Sequence, residues 1–230
     1  MKTRMDRNSM TLPFTPQAEG VEPDILPSAG LILAAGFSER MGTPKALLMW
    51  DRSMTFLEKI IREFLSAGCD TVVCTVNSLV LPHCSSLESI PRAKIILNEH
   101  PEWGRMHSVR LGLEHAGGRP YCLLHNVDNP FIHETILRKI LDSADPGSWC
   151  APEYQGRGGH PVLLTARIMD HILQSTCLPT TLEEVLGSFP KKTVMMEDDL
   201  ILRNINTPGD YQKYRRYCDD GGNLWQETKR

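Results

Sequence analysis

Apolar residues in this chain recur in two rhythms. Short apolar or β-branched runs at residues 31–35 (LILAA), 70–76 (DTVVCTV), 94–97, 121–127 (YCLLHNV), 149–152, 162–164 and 193–196 read as strands. Between them, Phe56, Leu57, Ile60, Ile61, Phe64 and Leu65 form a stripe at helical spacing, opened by the capping box Thr55-x-x-Glu58 and closed at Gly68. Further helices are expected from near Met106, over 166–175, after Thr180 or Thr181 through Glu183 or Glu184, and after Thr207 with Pro208 in the first helical position. Residues 79–92 hold Pro82 and Pro91 and support a short helix at most. Alternating strands and helices predict an α/β fold: a Rossmann-like, three-layer, open and mostly parallel sheet with helices on both faces.

Residues 1–28 are polar, contain Pro13, Pro16, Pro23 and Pro27, and show no sustained period, so they read as a flexible N-terminal tail. A single domain is expected over 29–217, with a polar C-terminal tail at 218–230. The 25 Lys and Arg nearly balance the 28 Asp and Glu for a net charge of −3, which excludes a general basic field for nucleic acid. Any anion site must therefore be local. The seven cysteines are scattered without a C-x-x-C, as expected of reduced thiols in a cytoplasmic protein. No apolar stretch approaches the roughly 18 residues that cross a bilayer, and no apolar segment follows the N-terminal cations to make a secretory signal.

The stretch Leu31 to Lys45, LILAAGFSERMGTPK, joins the first strand to a loop of small residues. Ala34, Ala35, Gly36 and Gly42 leave at most a methyl between backbone amides and an approaching anion, and Arg40 and Lys45 place two cations on the same loop. A polyphosphate suits that combination. The spacing matches neither a Walker A loop nor G-x-G-x-x-G. Three such residues would mean only a glycine turn with solvated cations; the whole fifteen-residue arrangement carries more weight. Further on, Asp128 directly follows the 121–127 strand, at the strand end where open α/β sheets bind ligands. Mg²⁺ is satisfied by one or two carboxylates together with phosphates and water. Without that context, an Asp close before Pro130 is an ordinary turn residue.

The pattern resembles the MobA-like nucleotidyltransferases, and within them the molybdenum cofactor cytidylyltransferase branch. Leu33-Ala34-Ala35-Gly36, Ser38, Arg40-Met41-Gly42 and Pro44-Lys45 fall on the signature LAAGxSxRMGxPK. Asn98, Trp103, Gly104, Ser108, Gly112 and Leu113 agree with the block N-P-x-W-x-x-G-M-x-x-S-L-x-x-G-L, while Arg105 and Met106 do not align with it. Asp128 and Pro130 resemble the third block, 156–164 the G-x-x-G-H-P-V block, and Asn204 to Tyr211 the closing D-I-D-T-P-E-D-Y, with Asn in place of both leading acids. Leu178 to Leu182 stands where the cytidylyltransferases carry G-D-x-G-A-R, a departure that bears on the acceptor.

The resemblance implies a nucleotide-diphospho-sugar transferase, GT-A-like version of the fold. It implies Arg40, Lys45 and Asp128 as catalytic residues, and Leu33, Ala34, Ala35, Gly36, Ser38, Gly42, Asn98 and Ser108 around the nucleotide. Arg157, Gly159 and His160 fall on the acceptor side. Arg157, on a glycine loop, suits a phosphate. His160 stands open between ligand, proton donor and structural hydrogen-bonder, the last being the commonest fate of a lone His. Mg²⁺ is expected on Asp128 and Asn206. An amide oxygen at Asn206 brings no charge, so metal affinity leans on Asp128 and the nucleotide.

The implied reaction moves CMP from CTP to molybdopterin or its molybdenum complex and releases pyrophosphate, with no nucleic acid or membrane partner and with transient contact to a molybdoenzyme. A sugar, polyol or alcohol phosphate as acceptor, or GTP as donor, are the alternatives within the same chemistry. A non-catalytic cofactor-binding or insertion partner is favoured by the two Asn residues and the missing G-D-x-G-A-R, and opposed by retained Arg40, Lys45 and Asp128. A dinucleotide-dependent oxidoreductase is opposed by the absence of G-x-G-x-x-G.

Overall fold

The computed structural model describes residues 26–175 and 181–219, with side chains as far as Arg215. Strand β1 (Ser28–Ala34) is buried along its whole length, which explains why its sequence is an unbroken apolar run rather than an alternation. Helix α1 (Phe56–Ser66) follows, and its Thr55 hydroxyl accepts from the Glu58 amide as the capping box requires. Then come β2 (Thr71–Val76), a short α2 (Ser85–Glu88), β3 (Ala93–Leu97), α3 (Arg105–Glu114) and β4 (Tyr121–Asn126). The second half holds α4 (Glu134–Leu141), β5 (Trp149–Tyr154), β6 (Arg157–Gly158), β7 (Val162–Thr165), α5 (Ala166–Gln174), α6 (Leu182–Leu186), β8 (Lys191–Met195) and α7 (Pro208–Asp219).

The strands form one sheet in the order β3-β2-β1-β4-β7-β5-β6, with β8 paired to β5. Strands β3, β2, β1 and β4 are parallel neighbours, β8 is parallel to β5, and β7 runs antiparallel to both β4 and β5. Alternate residues of β1 feed two apolar layers. Ile32 and Ala34 join Phe56, Leu57, Ile60, Ile61 and Phe64 of α1 and Ile136, Leu137 and Ile140 of α4. Ala29, Leu31 and Leu33 join Met106, Val109 and Leu113 of α3, together with residues of α5 and α6. The expected three-layer α/β architecture is therefore present.

The structure adds to the sequence reading in three places. Helix α4 was not expected, although Ile136, Leu137, Ile140 and Leu141 recur at helical spacing on a segment capped by the His133 side chain. The stretch at 156–159 is a hairpin rather than a loop, with Glu153 and Tyr154 paired antiparallel to Gly158 and Arg157. Helix α7 begins at Pro208, with Thr207 Oγ1 accepting from the Asp210 amide at 3.2 Å, and runs on to Asp219. Cys69, Cys74, Cys84, Cys122 and Cys150 are buried free thiols. Residues 178–180 of the departure at 178–182, including the alternative cap Thr180, lie outside the described residues, and Thr181 supplies the cap of α6.

Helix α3 lies so close to β1 that a Cβ built on Gly112 would stand 2.2 Å from Cδ1 of the fully buried Leu31. Alanine is favoured over glycine in a helix by about 1 kcal/mol, but overpacking a core costs about 1–3 kcal/mol. Gly112→Ala is therefore expected to lower the unfolding free energy in urea by up to about 2 kcal/mol; a more stable variant would show that Leu31 has room to turn aside.

Candidate active site

The chain runs β1, β2, β3 outward on one side of β1 and then returns to place β4 on its other side. In such sheets ligands bind beyond the carboxyl ends of the strands where the winding reverses. A cleft of about 640 Å³ opens at that point, lined by the loop after β1, by the turn before α3 and its first residues, by the end of β4, and by Asn206.

The loop is held from beneath and from within. Asn77, buried just past the end of β2, donates Nδ2 to the Ala35 carbonyl at 3.0 Å and accepts the Leu79 and Val80 amides on Oδ1. Ser38 sits in the left-handed region at φ 56 and ψ 34, a conformation that costs a non-glycine residue about 1–2 kcal/mol. Its hydroxyl accepts the Lys45 amide at 3.1 Å, which ties the turn across seven residues. Gly42, at φ 68, ends the short helical turn Glu39–Met41, a role that favours glycine.

Strand β4 delivers Asp128, and the segment before α7 delivers Asn206. The Ile205 amide donates to the Asp128 carbonyl at 2.8 Å, and the Asp210 carboxylate accepts the amides of Asn206 and Thr207 at 3.0 and 2.9 Å. Those bonds, the Asn206 amide first, hold the Asp210 carboxyl below its usual range. Lys45 reaches into the junction: its Nζ lies 3.4 Å from Asp128 Oδ2 and 2.7 Å from Asn206 Oδ1. Asp128 Oδ1 is buried with no hydrogen-bond partner among the described residues.

An orphaned carboxylate oxygen, with a second carboxylate oxygen and an amide oxygen already gathered around a cation, is a hard-oxygen donor set that fits a divalent ion such as Mg²⁺. Among the described residues no group of three His, Cys, Asp or Glu side chains is placed to hold a metal, so further ligands would come from phosphate and water.

Of the residues expected from the sequence, Leu33, Ala35, Gly36, Ser38, Arg40, Lys45, Ser108, Asp128 and Asn206 line this one cleft. The others do not. The Ala34 side chain packs into the α1 layer. Asn98 is buried behind Ser108, donating Nδ2 to its hydroxyl at 2.9 Å while Oδ1 accepts the His100 amide. Arg157 is exposed on the β5–β6 hairpin. Gly159 packs so tightly that a Cβ there would meet the Ile201 carbonyl oxygen at 2.5 Å, and its amide donates to the Pro152 carbonyl. Of the lining and supporting residues that were missed, two matter most here. Arg105 lines the cleft at the first position of α3. Asn77 anchors the loop, and its only sequence signal was an Asn closing an apolar strand.

A match to the model of the MobA-like NTP transferase domain covers residues 30–188. The chain is 30% identical over 145 residues to nicotine blue oxidoreductase of Paenarthrobacter nicotinovorans, covering 60% of this chain and 70% of that protein. It is 26% identical over 181 residues to the molybdenum cofactor cytidylyltransferase of Escherichia coli K12, covering 79% of this chain and 92% of that enzyme. In three dimensions it superposes on a nucleotidyl transferase from Methanothermobacter thermautotroptrophicus with a TM-score of 0.70 at 21% identity, over 83% of this chain and 96% of that one. Together, the open sheet and the cleft at its winding reversal define the nucleotide-diphospho-sugar transferase fold. The chain belongs to the MobA-like NTP transferase family. Among the described residues no helix is long and apolar enough to cross a membrane.

Two histidines lie behind the cleft. His125 Nε2 is 2.8 Å from the Asn129 carbonyl, which only accepts, so that nitrogen carries the proton and Nδ1 is left buried without a partner among the described residues. His160 Nδ1 is likewise buried with no partner among the described residues. Burial pushes His125 down to about 3 and His160 down to about 4, where the charge of nearby Arg105 also disfavours protonation. Above an unfolded pKa of about 6.5 both states are neutral; as pH falls below it, the unfolded chain takes up protons that the folded one refuses. Stability is expected to fall by about 2 kcal/mol per ring between pH 7 and 5, read from urea midpoints. Equal midpoints at the two pH values would show that the rings protonate in place.

Proposed function

We propose that this protein transfers the nucleoside monophosphate of a nucleoside triphosphate, CTP first among them, to a phosphate-monoester acceptor and releases pyrophosphate. The observation that carries the reading is the meeting of three groups in one cleft: the small-residue loop after β1, the Lys45 ammonium, and the Asp128 carboxylate 3.4 Å from it. Blocks shared with the cytidylyltransferase relative support CTP as donor and molybdopterin or its molybdenum complex as acceptor. A sugar or polyol phosphate acceptor, or GTP as donor, remains the alternative within the same chemistry.

In this mechanism the loop from Ala35 to Arg40 receives the β- and γ-phosphates. Arg40, which lines the cleft, meets phosphate oxygens in bidentate fashion. Lys45 leaves the Asp128 and Asn206 oxygens for the phosphates as the nucleotide enters, and frees those oxygens for a metal. Mg²⁺, held by Asp128 and Asn206, would neutralise phosphate charge and orient the α-phosphate for in-line attack. An acceptor oxygen bonds to the α-phosphorus while the bond from that phosphorus to the bridging oxygen breaks, and pyrophosphate leaves with the electron pair. A phosphate monoester with a second pKa near 6 is mostly dianionic at neutral pH, so no general base is required. Positioning and charge neutralisation supply the catalysis.

Pyrophosphate release with each NTP in the presence of molybdopterin or a sugar phosphate tests the donor and acceptor separately. Opposite charges 4 Å apart at an effective dielectric of 20 interact by about 4 kcal/mol. Losing Lys45 is then worth roughly 2–4 kcal/mol, so Lys45→Ala should reduce kcat/KM by about 30- to 1000-fold. Activity within threefold of the parent would remove Lys45 from the mechanism. Asn206→Asp restores a charged ligand and should lower the half-activating Mg²⁺ concentration severalfold; an unchanged Mg²⁺ curve would place the ion elsewhere.

A further inference from the structure

Among the described residues three cations line the cleft: Arg40, Lys45 and Arg105. Lys45 is engaged by Asp128 and Asn206. Arg40 belongs to the loop that receives the triphosphate. Arg105 stands on a different wall, contributed by α3, and makes no hydrogen bond or ion pair among the described residues. We infer that Arg105 binds the phosphate of the acceptor, and that it does so in place of Arg157; this rests on the nucleotidyl-transfer reading above.

Its position is an unfavourable one for a purely structural arginine. Arg105 is the first residue of a ten-residue helix, where the positive end of the helix dipole disfavours a cation by about 0.3–1 kcal/mol and favours an anion by the same amount. The preceding Gly104 adopts φ 90 and ψ 179, lines the cleft, and supplies no side-chain cap to the first-turn amides. An anion at this wall would therefore meet three complementary features: the guanidinium fork, a helix N-terminus without a capping side chain, and the Ser108 hydroxyl, which also lines the cleft and is fixed by Asn98.

Arg105 shares the cleft with Lys45 and Asp128. Its charge acts on Asp128, on Glu183 at the start of α6 and on the neutral ring of His160. Removal from water within the cleft lowers its pKa, with Glu183 and Asp128 opposing that shift. With no hydrogen-bond partner among the described residues, the guanidinium fork is free to take the oxygens of a dianionic monoester in bidentate geometry. Arg157, on the β5–β6 hairpin, is absent from the cleft wall.

The test follows the arginine Nε–Hε signals of the full chain by NMR while methyl phosphate is added, with Mg²⁺ and a non-hydrolysable α,β-methylene CTP present. The Arg105 signal, identified by its loss in Arg105→Lys, should shift saturably. The apparent Kd for methyl phosphate should rise at least about tenfold in Arg105→Ala, a loss of about 1.4 kcal/mol, while Arg105→Lys recovers part of it. A stationary Arg105 signal, or a Kd raised by Arg157→Ala and not by Arg105→Ala, overturns the inference. So does an Arg105→Ala variant that loses the CTP analogue as fully as methyl phosphate, since Arg105 would then belong to the nucleotide. Calorimetry with the CTP analogue on the parent protein reads the nucleotidyl-transfer proposal on its own: if that analogue does not bind, that proposal fails, while the Arg105 signal still reports on its own anion.

Discussion

The parallel pairing of β1 with β4 is the constraint from which the rest of this structure follows. The register runs from Ser28 opposite Tyr121 to Leu33 opposite Asn126, and the Val127 amide still donates to the Leu33 carbonyl at 3.1 Å. Both strands therefore end at the same level, and whatever follows each of them is thrown to the same side of the sheet. From β1 that is the small-residue loop; from β4 it is Asp128. A slip of one residue would turn the alternating side chains of β4 to the opposite layers and withdraw Asp128 from the loop. The Ile205 amide then completes the arrangement by docking on the Asp128 carbonyl, which brings Asn206 within reach of Lys45.

Charge in the cleft is organised locally and owes little to the net −3 of the chain. Lys45 stands where the Asp128 and Asn206 oxygens converge, a cation holding two acceptors. In the mechanism proposed above, that contact would set a threshold for metal entry, because a divalent ion would have to displace an ammonium, and a nucleotide would lower it by offering the ammonium an alternative anion. The strained backbone at Ser38 belongs to the same arrangement: the left-handed turn lets its hydroxyl take the Lys45 amide and fixes where the lysine stem begins.

Much of this was legible in the sequence, for identifiable reasons. Strands β1, β2 and β4 are buried on both faces and so wrote themselves as continuous apolar runs. The α1 and α7 starts were marked by side chains whose oxygens now cap backbone amides, Thr55 and Thr207. The loop residues and Asp128 were visible because they cluster around strand ends. What was not legible depends on contacts between distant segments. Asn77 is one polar residue at the end of a strand, and its importance lies in carbonyls 41 and 42 residues earlier. Gly159 has the composition of a binding loop, but its identity answers to the Ile201 backbone, which no local pattern contains. Arg105 broke a motif, and only the cleft shows what it faces.

The departures from the family blocks acquire a direction once they are placed in space. At the cleft wall, Asn206 stands where the closing block has an acid, and Arg105 adds a cation from a stretch that does not align with the second block. The Asn makes the wall one charge more positive than the pattern. Among the described residues Glu39 and Asp128 are the only acids lining the cleft, against the cations Arg40, Lys45 and Arg105. An excess of cations attracts a polyanion and repels a divalent cation, and the two effects grow together. In the reading proposed above, the metal would therefore enter with its nucleotide, and a dianionic acceptor would suit the remaining positive charge. Overall similarity does not decide this, because one relative of the chain is named as an oxidoreductase. The sign and placement of a few side chains at the sheet's winding reversal do.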